Sequence, residues 1–427
     1  MRQSQPPARS SLSRKITPQT QLSTFAAQFR HAMAQQDYSV ARLCCEKALK
    51  MMPGNMSVLS DYALCLLREG RHAESYAIYQ QIYQSPQRAN ASATWLDGLT
   101  EVCGWLGKTD ELRRYGYESL TSADESLKHC KKWQKPQTPL KPFDASHPEK
   151  NVIAFSLYGD QPRYCETLIE NASLARELYP AWTCRVYLDN SVPTHVQTRL
   201  QRAGMILVDM SAEKQILPTL WRFLVMDDPS VERFIVRDAD SLLSEREAAA
   251  VEEWLDSPFH FHHMRDYFTH TELLLAGLWG GVNGYFPPVE GMMRAFIQQY
   301  QGSERFTDQS FLRHVLWPTI RESLLSHDNI FGFHQARRWP QHKPIRWQHA
   351  AFHVGSNTSY SSLSGPCGLP EGERQPVDLV RQGMTFRYYA TVKDGQWFLG
   401  VPFFLVDEFK AGTMRVVLPL PGAPHPG

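Results

Sequence analysis

The sequence predicts a mixed α/β protein: a Rossmann-like sheet flanked by helices, preceded by an all-α repeat solenoid and followed by a small β-rich addition. Three observations predict it. Near-repeats occur at a register of about 34 residues in the first part of the chain. A strand and helix alternation starts at Asn151. An apolar strand, Phe234-Ile235-Val236, ends abruptly in Asp238-Ala239-Asp240.

The elements follow in order. Residues 1–21 are rich in Pro, Ser, Gln and Arg without an apolar run, which predicts a disordered lead rather than a signal peptide. Over residues 22–128, Gln36-Asp37-Tyr38, Ala41, Ala48-Leu49 and Pro53 are echoed by Gly70-Arg71-His72, Ser75, Ile82-Tyr83 and Pro86, and Gly107-Lys108-Thr109 begins a third copy. Paired helices with small residues at their crossing resemble tetratricopeptide repeats, with Ser75 in place of the usual Ala. Such an array either docks a partner protein or acceptor, or acts as a packing spacer. Residues 129–150, with three prolines and several lysines, read as a linker.

From Asn151 the pattern changes. Residues 152–159 form a buried strand ending in Gly159; helices are expected at 163–178, 192–203 and 217–226, and strands at 184–188 and 205–208. This βαβαβ run leads into the acidic strand, residues 244–255 read as the helix after it, and residues 259–262 as the next strand. Side chains two apart on an extended segment point the same way, so Asp238 and Asp240 converge at the strand exit. Hard divalent cations take such oxygens and complete their shell with water and phosphate, so a nucleoside diphosphate is the natural partner. The plain alternative is a solvated turn.

Composition narrows the classes. A chain of 427 residues calls for two folded units, and 45 Lys and Arg against 44 Asp and Glu give no global field for nucleic acid or an anionic membrane. Eight scattered Cys without CxxC spacing argue against a zinc module and fit a reducing cytoplasm. No apolar run reaches the length of a membrane span, which leaves peripheral attachment at the inner face of a membrane open. The absence of GxxxxGK[ST] disfavours a P-loop phosphotransferase.

Residues 151–365 resemble a GT-A fold glycosyltransferase. The resemblance rests on Ser156 and Tyr158 in the opening strand, Trp221-Arg222, Arg237-Asp238-Ala239-Asp240-Ser241, Ala276-Gly277-Leu278-Trp279-Gly280-Gly281, Asp308-Gln309 and Phe352-His353-Val354-Gly355. It implies Mn²⁺ or Mg²⁺ on Asp238 and Asp240, with His353 as third ligand or else a packed histidine. It implies donor contacts from Ser156, Tyr158, Arg222, Arg237, Arg265, Gly277, Trp279, Gly280 and Gln309, with Arg222 either reaching the nucleotide or bracing Asp238. Asp308 or Asp266 is the candidate base; Asp308 also suits a helix cap, and Arg265-Asp266 an ion pair bracing the site. His270 and His327-Asp328 are secondary candidates. The implied donor is a nucleotide sugar, and the acceptor a glycan, a lipid-linked sugar or a protein. A catalytically inactive interaction protein and a nucleotidyltransferase are the alternatives. Residues 366–427, aromatic and β-branched around Lys393-Asp394-Gly395, read as a β-rich extension with a hairpin turn.

Overall fold

A computed structural model describes residues 17–134, 139–358 and 361–419, and the chain divides after Ser119 into two units. The first unit is helical: α1 (Pro18–Ala34), α2 (Tyr38–Met51), α3 (Met56–Arg68), α4 (His72–Gln84), α5 (Trp95–Trp105) and α6 (Thr109–Ser126), the last running across the division. Side-chain oxygens of Thr17, Asp37 and Asn55 accept backbone N–H groups three residues on and so start α1, α2 and α3. The turn inside each helix pair needs a left-handed residue, supplied by Gln36, Gly70 and Gly107 with φ of 58°, 75° and 68°. Ser75, the departure from Ala, is fully buried and donates to Ala63 O at 2.8 Å, which satisfies its hydroxyl at the helix crossing. The first helix begins at Pro18, inside the stretch expected as a lead, whose residues 1–16 lie outside those described.

The second unit is an α/β layer with a β addition. Its first sheet is built from β1 (Asn151–Leu157), β2 (Thr183–Leu188), β3 (Ile206–Asp209), β4 (Arg233–Arg237), β5 (Phe261–Arg265), β6 (Leu278–Val282) and β7 (Leu324–Asp328). The helices between them are α7 (Pro162–Leu178), α8 (Thr194–Arg202), α9 (Glu245–Leu255), α10 (Val289–Gln299), α11 (Thr307–Phe311) and α12 (Trp317–Ile320), with a 3-10 stretch at Pro218–Asp227. The strand order is β3-β2-β1-β4-β6-β5-β7, with β6 antiparallel to both neighbours. Every residue of β1 and β4 is buried, as expected of central strands covered on both faces. The chain steps outward from β1 to β3 and then returns to the other side of β1 as β4. Connections therefore diverge at the carboxyl ends of β1 and β4, where α/β sheets open a crevice.

Two expectations change here. The Gly-rich run expected as a loop is largely strand β6: a Cβ on Gly280 would lie 2.6 Å from Phe234 O, and one on Gly281 2.5 Å from the Phe261 ring, so these glycines admit the strand between its neighbours. The strand expected to end at residue 262 continues through Arg265, which puts His263 and Arg265 inside the sheet.

The C-terminal addition starts at Ser361, earlier than residue 366. It is an antiparallel sheet of β8 (Ser361–Pro366), β9 (Arg374–Arg381), β10 (Met384–Lys393), β11 (Gln396–Val401) and β12 (Met414–Val417), with α13 (Phe403–Lys410). The hairpin turn expected at Lys393-Asp394-Gly395 is one residue shorter: Lys393 closes β10 opposite Gln396, and Asp394 and Gly395, both with positive φ, make the turn to β11. Buried Glu166 of α7 receives Arg199 at 2.5 and 2.9 Å and the Tyr388 hydroxyl at 2.5 Å, tying the addition to α7 and α8. All eight cysteines are free thiols.

His262 in β5 is buried and shares a 2.9 Å hydrogen bond with His327 of β7. Burial, and then the adjacent His327, hold its pKa well below the usual histidine value. The unfolded chain therefore takes up a proton that the folded one refuses, and this group costs stability as pH falls below about 6.5. His262→Gln should lose about 1 kcal/mol at pH 7.5 through the altered hydrogen bond. That deficit should shrink by up to about 1.4 kcal/mol per pH unit below 6.5, as read by urea unfolding. A deficit constant from pH 7.5 to 5 would contradict this.

Candidate functional site

The crevice at the carboxyl ends of β1 and β4 is a cavity of about 480 Å³. Ser156 and Tyr158 reach it from β1 and its exit, Thr219 and Arg222 from the 3-10 stretch, Asp238 and Asp240 from the exit of β4, and Arg305 and Asp308 from the segment leading into α11; Tyr164 of α7 also lines it.

Arg222 organises these groups. Its guanidinium is buried, donates from Nη1 to Arg237 O at 3.0 Å and to Asp238 Oδ1, and from Nη2 to Asp308 Oδ2 at 2.9 Å. Its own backbone N–H donates to Ser156 Oγ at 3.0 Å, which fixes the 3-10 stretch against β1. Trp221 beside it is anchored through Nε1 to Ile216 O at 2.9 Å and meets the edge of Tyr158 with ring centroids 6.3 Å apart. The Tyr158 residue keeps 44% of its surface exposed. Asp308 also accepts Gln309 N at 2.8 Å; burial, more than any other influence, raises its pKa.

Asp240 differs from its neighbours. No Lys, Arg or His among the described residues forms an ion pair with it, and burial, reinforced by the charge of Asp238, pushes its carboxyl up to about 6. Three carboxylates line one cavity, and the single buried cation is already shared by two of them. This donor set fits a hard divalent cation held by Asp238 and Asp240, with the rest of its shell from water and phosphate. Gly277 lies against the same carboxylate: a Cβ there would overlap Asp238 Oδ2. Among the described residues, no group of three or more His, Cys, Asp or Glu side chains is arranged to hold a metal ion.

Other residues expected at the site stand elsewhere. His353 does not line the cavity; its ring stacks on Tyr267 at 3.8 Å, Nδ1 donates to Ala351 O at 3.0 Å, and burial lowers its pKa to about 4. Asp266 receives Arg246 at 2.8 and 3.0 Å and Val354 N at 2.9 Å, so it braces the 353–356 turn. Arg237 is fully buried, pairs with Glu247 at 3.0 Å and donates to Gly277 O at 2.9 Å. Arg265 donates to the carbonyls of His270, Glu272 and Leu273, and lies 4.0 Å from Asp328. His270 Nδ1 accepts Asp266 N at 3.1 Å, and His327 bonds His262 and Glu253. Trp279 is core, packed edge-on to Phe223 and Phe234, and Gly280 lies within β6. Gln309 pins the turn before Gly277, donating to Leu274 O and accepting Ala276 N.

The sequence reading missed Tyr164, Thr219 and Arg305. Tyr164 sits near the start of the helix that follows β1, a position from which an aromatic can face the crevice; Thr219 and Arg305 carry no local motif.

Comparison with known proteins adds little. No family model matches the sequence, and no curated protein matches it. Among solved structures, a point mutant of the Thermobaculum terrenum O-GlcNAc transferase is 12% identical with a TM-score of 0.28, covering 51% of this chain and 46% of that one. The mannosyltransferase PcManGT from Pyrobaculum calidifontis, in complex with GDP-Man and Mn²⁺, is 12% identical with a TM-score of 0.29, covering 56% of this chain and 67% of that one. The first match thus spans less than half of its partner's length.

If Arg222 neutralises Asp308, removing it leaves a buried carboxylate uncompensated. Arg222→Met should cost about 3 kcal/mol of stability, and Asp308→Asn in the same chain should recover at least about 1 kcal/mol of that as a coupling energy. Strictly additive losses in denaturant unfolding would contradict the pairing.

Proposed function

We propose that this protein is a glycosyltransferase that moves a sugar from a nucleoside diphosphate sugar to an acceptor hydroxyl, with Mn²⁺ or Mg²⁺ on Asp238 and Asp240. The observation that carries the reading is the placement of these two carboxylates at the β4 exit, inside a cavity at the switch point of the sheet, with no ion-pair partner for Asp240 among the described residues. The bound cation supplies charge neutralisation to the departing diphosphate.

The chain's own residues have separate tasks. Tyr158 offers an exposed ring for a base or sugar to pack on. Arg222 holds Asp238 and Asp308 in fixed orientation, so both carboxylates are preorganised before substrate arrives. Asp308 is the base: it takes the proton from the acceptor hydroxyl as the acceptor oxygen bonds to the anomeric carbon. The bond from that carbon to the phosphate oxygen breaks, and its electron pair leaves with the nucleoside diphosphate. Burial raises the Asp308 pKa, the direction that strengthens a carboxylate base. Glycan, lipid-linked sugar and protein side chain are the acceptor classes, and the helical pairs of the first unit are the surface we assign to a protein partner. No helix among the described residues is long and apolar enough to cross a membrane.

A panel of UDP-, GDP- and TDP-sugars, each with and without Mn²⁺, tests this by thermal shift and by release of nucleoside diphosphate. One donor should raise the melting temperature in a Mn²⁺-dependent manner, since a ligand of the folded state stabilises it by mass action. Asp240→Asn should lower turnover of that donor at least about a hundredfold. Full turnover by that variant, or release of pyrophosphate in place of a nucleoside diphosphate, would overturn the reading.

A further inference from the structure

We infer that Arg305 is a diphosphate-binding residue of this cavity, gripping the donor from a segment separate from the β4 carboxylates in sequence and in fold element. The inference rests on the reading above and adds a residue to it.

Two arginines line the cavity, and their situations differ. Arg222 is buried and its charge is shared between Asp238 and Asp308. Arg305 is exposed and makes no ion pair among the described residues; its guanidinium lies 5.4 Å over the ring of Phe306. An aromatic face steadies a guanidinium without cancelling its charge or occupying its in-plane donors. Arg305 therefore presents a fork of N–H groups at the cavity rim, the geometry that binds phosphate oxygens bidentately.

The segment that carries it is ordered by its own contacts. The Tyr300 hydroxyl donates to Ser303 O at 3.2 Å and is met by Ser310 Oγ at 3.2 Å, so one side chain bridges the turn before Arg305 and the helix after it. Gly302 packs beneath the same ring, where a Cβ would overlap the hydroxyl. The 3-10 turn Glu304–Phe306 then leads directly into Asp308. Arg305 and the proposed base thus stand on one continuous segment, three residues apart, so a phosphate held by Arg305 lies at a set distance from Asp308.

Charge makes the same point. With a divalent cation on Asp238 and Asp240, and Arg222 committed to Asp238 and Asp308, a diphosphate brings negative charge that one cation on one side does not fully offset. Arg305 is the remaining positive group in the cavity lining.

The test is calorimetric binding of UDP, GDP, TDP and the matching monophosphates UMP, GMP and TMP in the presence of Mn²⁺ to the parent chain and to Arg305→Gln, Arg305→Lys and Glu304→Gln. The nucleoside diphosphate that binds the parent should lose about tenfold to a hundredfold in affinity in Arg305→Gln, and the matching monophosphate should lose less. Arg305→Lys should fall between, and Glu304→Gln should match the parent. Because Arg305 is exposed and makes no ion pair, all variants should melt at the parent temperature without ligand. Equal diphosphate affinity in the parent and Arg305→Gln would overturn the inference and leave the proposed function standing. No binding of UDP, GDP or TDP to the parent would overturn both.

Discussion

A single buried guanidinium holds the cavity together. Arg222 comes from the 3-10 stretch, Asp238 from the exit of β4 and Asp308 from α11, three elements with no common local structure, and the Arg222 fork is what binds them. Such a charge is tolerable away from water only because its donors meet two carboxylates and a backbone carbonyl. The same contacts leave Asp240 outside the arrangement. The network pairs two of the three acids with a cation, and among the described residues the third has no ion-pair partner.

Other arginines in this sheet serve the scaffold. Arg237 points away from the cavity and ties β4 to α9 through Glu247 and to the turn before β6 through Gly277 O. Arg265 gathers three carbonyls of the connection between β5 and β6. Asp266, with Arg246 and Val354 N, holds the returning segment against the sheet. That segment then reaches the acidic turn: Thr358 N donates to Asp240 O at 2.9 Å, and Thr358 Oγ1 lies 2.7 Å from Thr167 Oγ1 of α7. The backbone that carries Asp240 is therefore supported from two sides, which keeps its carboxylate in place despite the raised cost of its charge.

Much of this was legible in the residues. The acidic pair at a strand exit, the alternation from Asn151, the helix pairs with their turn positions and the Asp394-Gly395 hairpin all follow from local rules of period and backbone conformation. Arg237 and Trp279 were not legible as scaffold, because closeness to a motif in sequence does not say which face of a strand a side chain takes; Arg265 and Asp266 were read as one bracing ion pair but brace through other partners, Asp328 and Arg246. Arg237 is adjacent to Asp238 yet faces the other way. Gly280 read as part of a loop because glycine runs usually mark turns; here the crowding of β4 and β5 against β6 demands small residues within a strand. His353 was placed by likeness to a family segment, with a packed histidine as the alternative, and its ring stacks on Tyr267. Arg305 and Thr219 had no pattern to give them away; only the folded chain brings them to the crevice.

The proposed activity requires Asp238 and Asp240 together to hold a divalent cation at the mouth of β4. Anomalous diffraction from crystals grown with MnCl₂ and the preferred nucleoside diphosphate tests it most directly. One manganese peak is expected within about 2.1 to 2.6 Å of a carboxylate oxygen from each of the two residues and of a phosphate oxygen. A nucleotide bound in the cavity with no manganese there, or with the metal held by other residues, would contradict it.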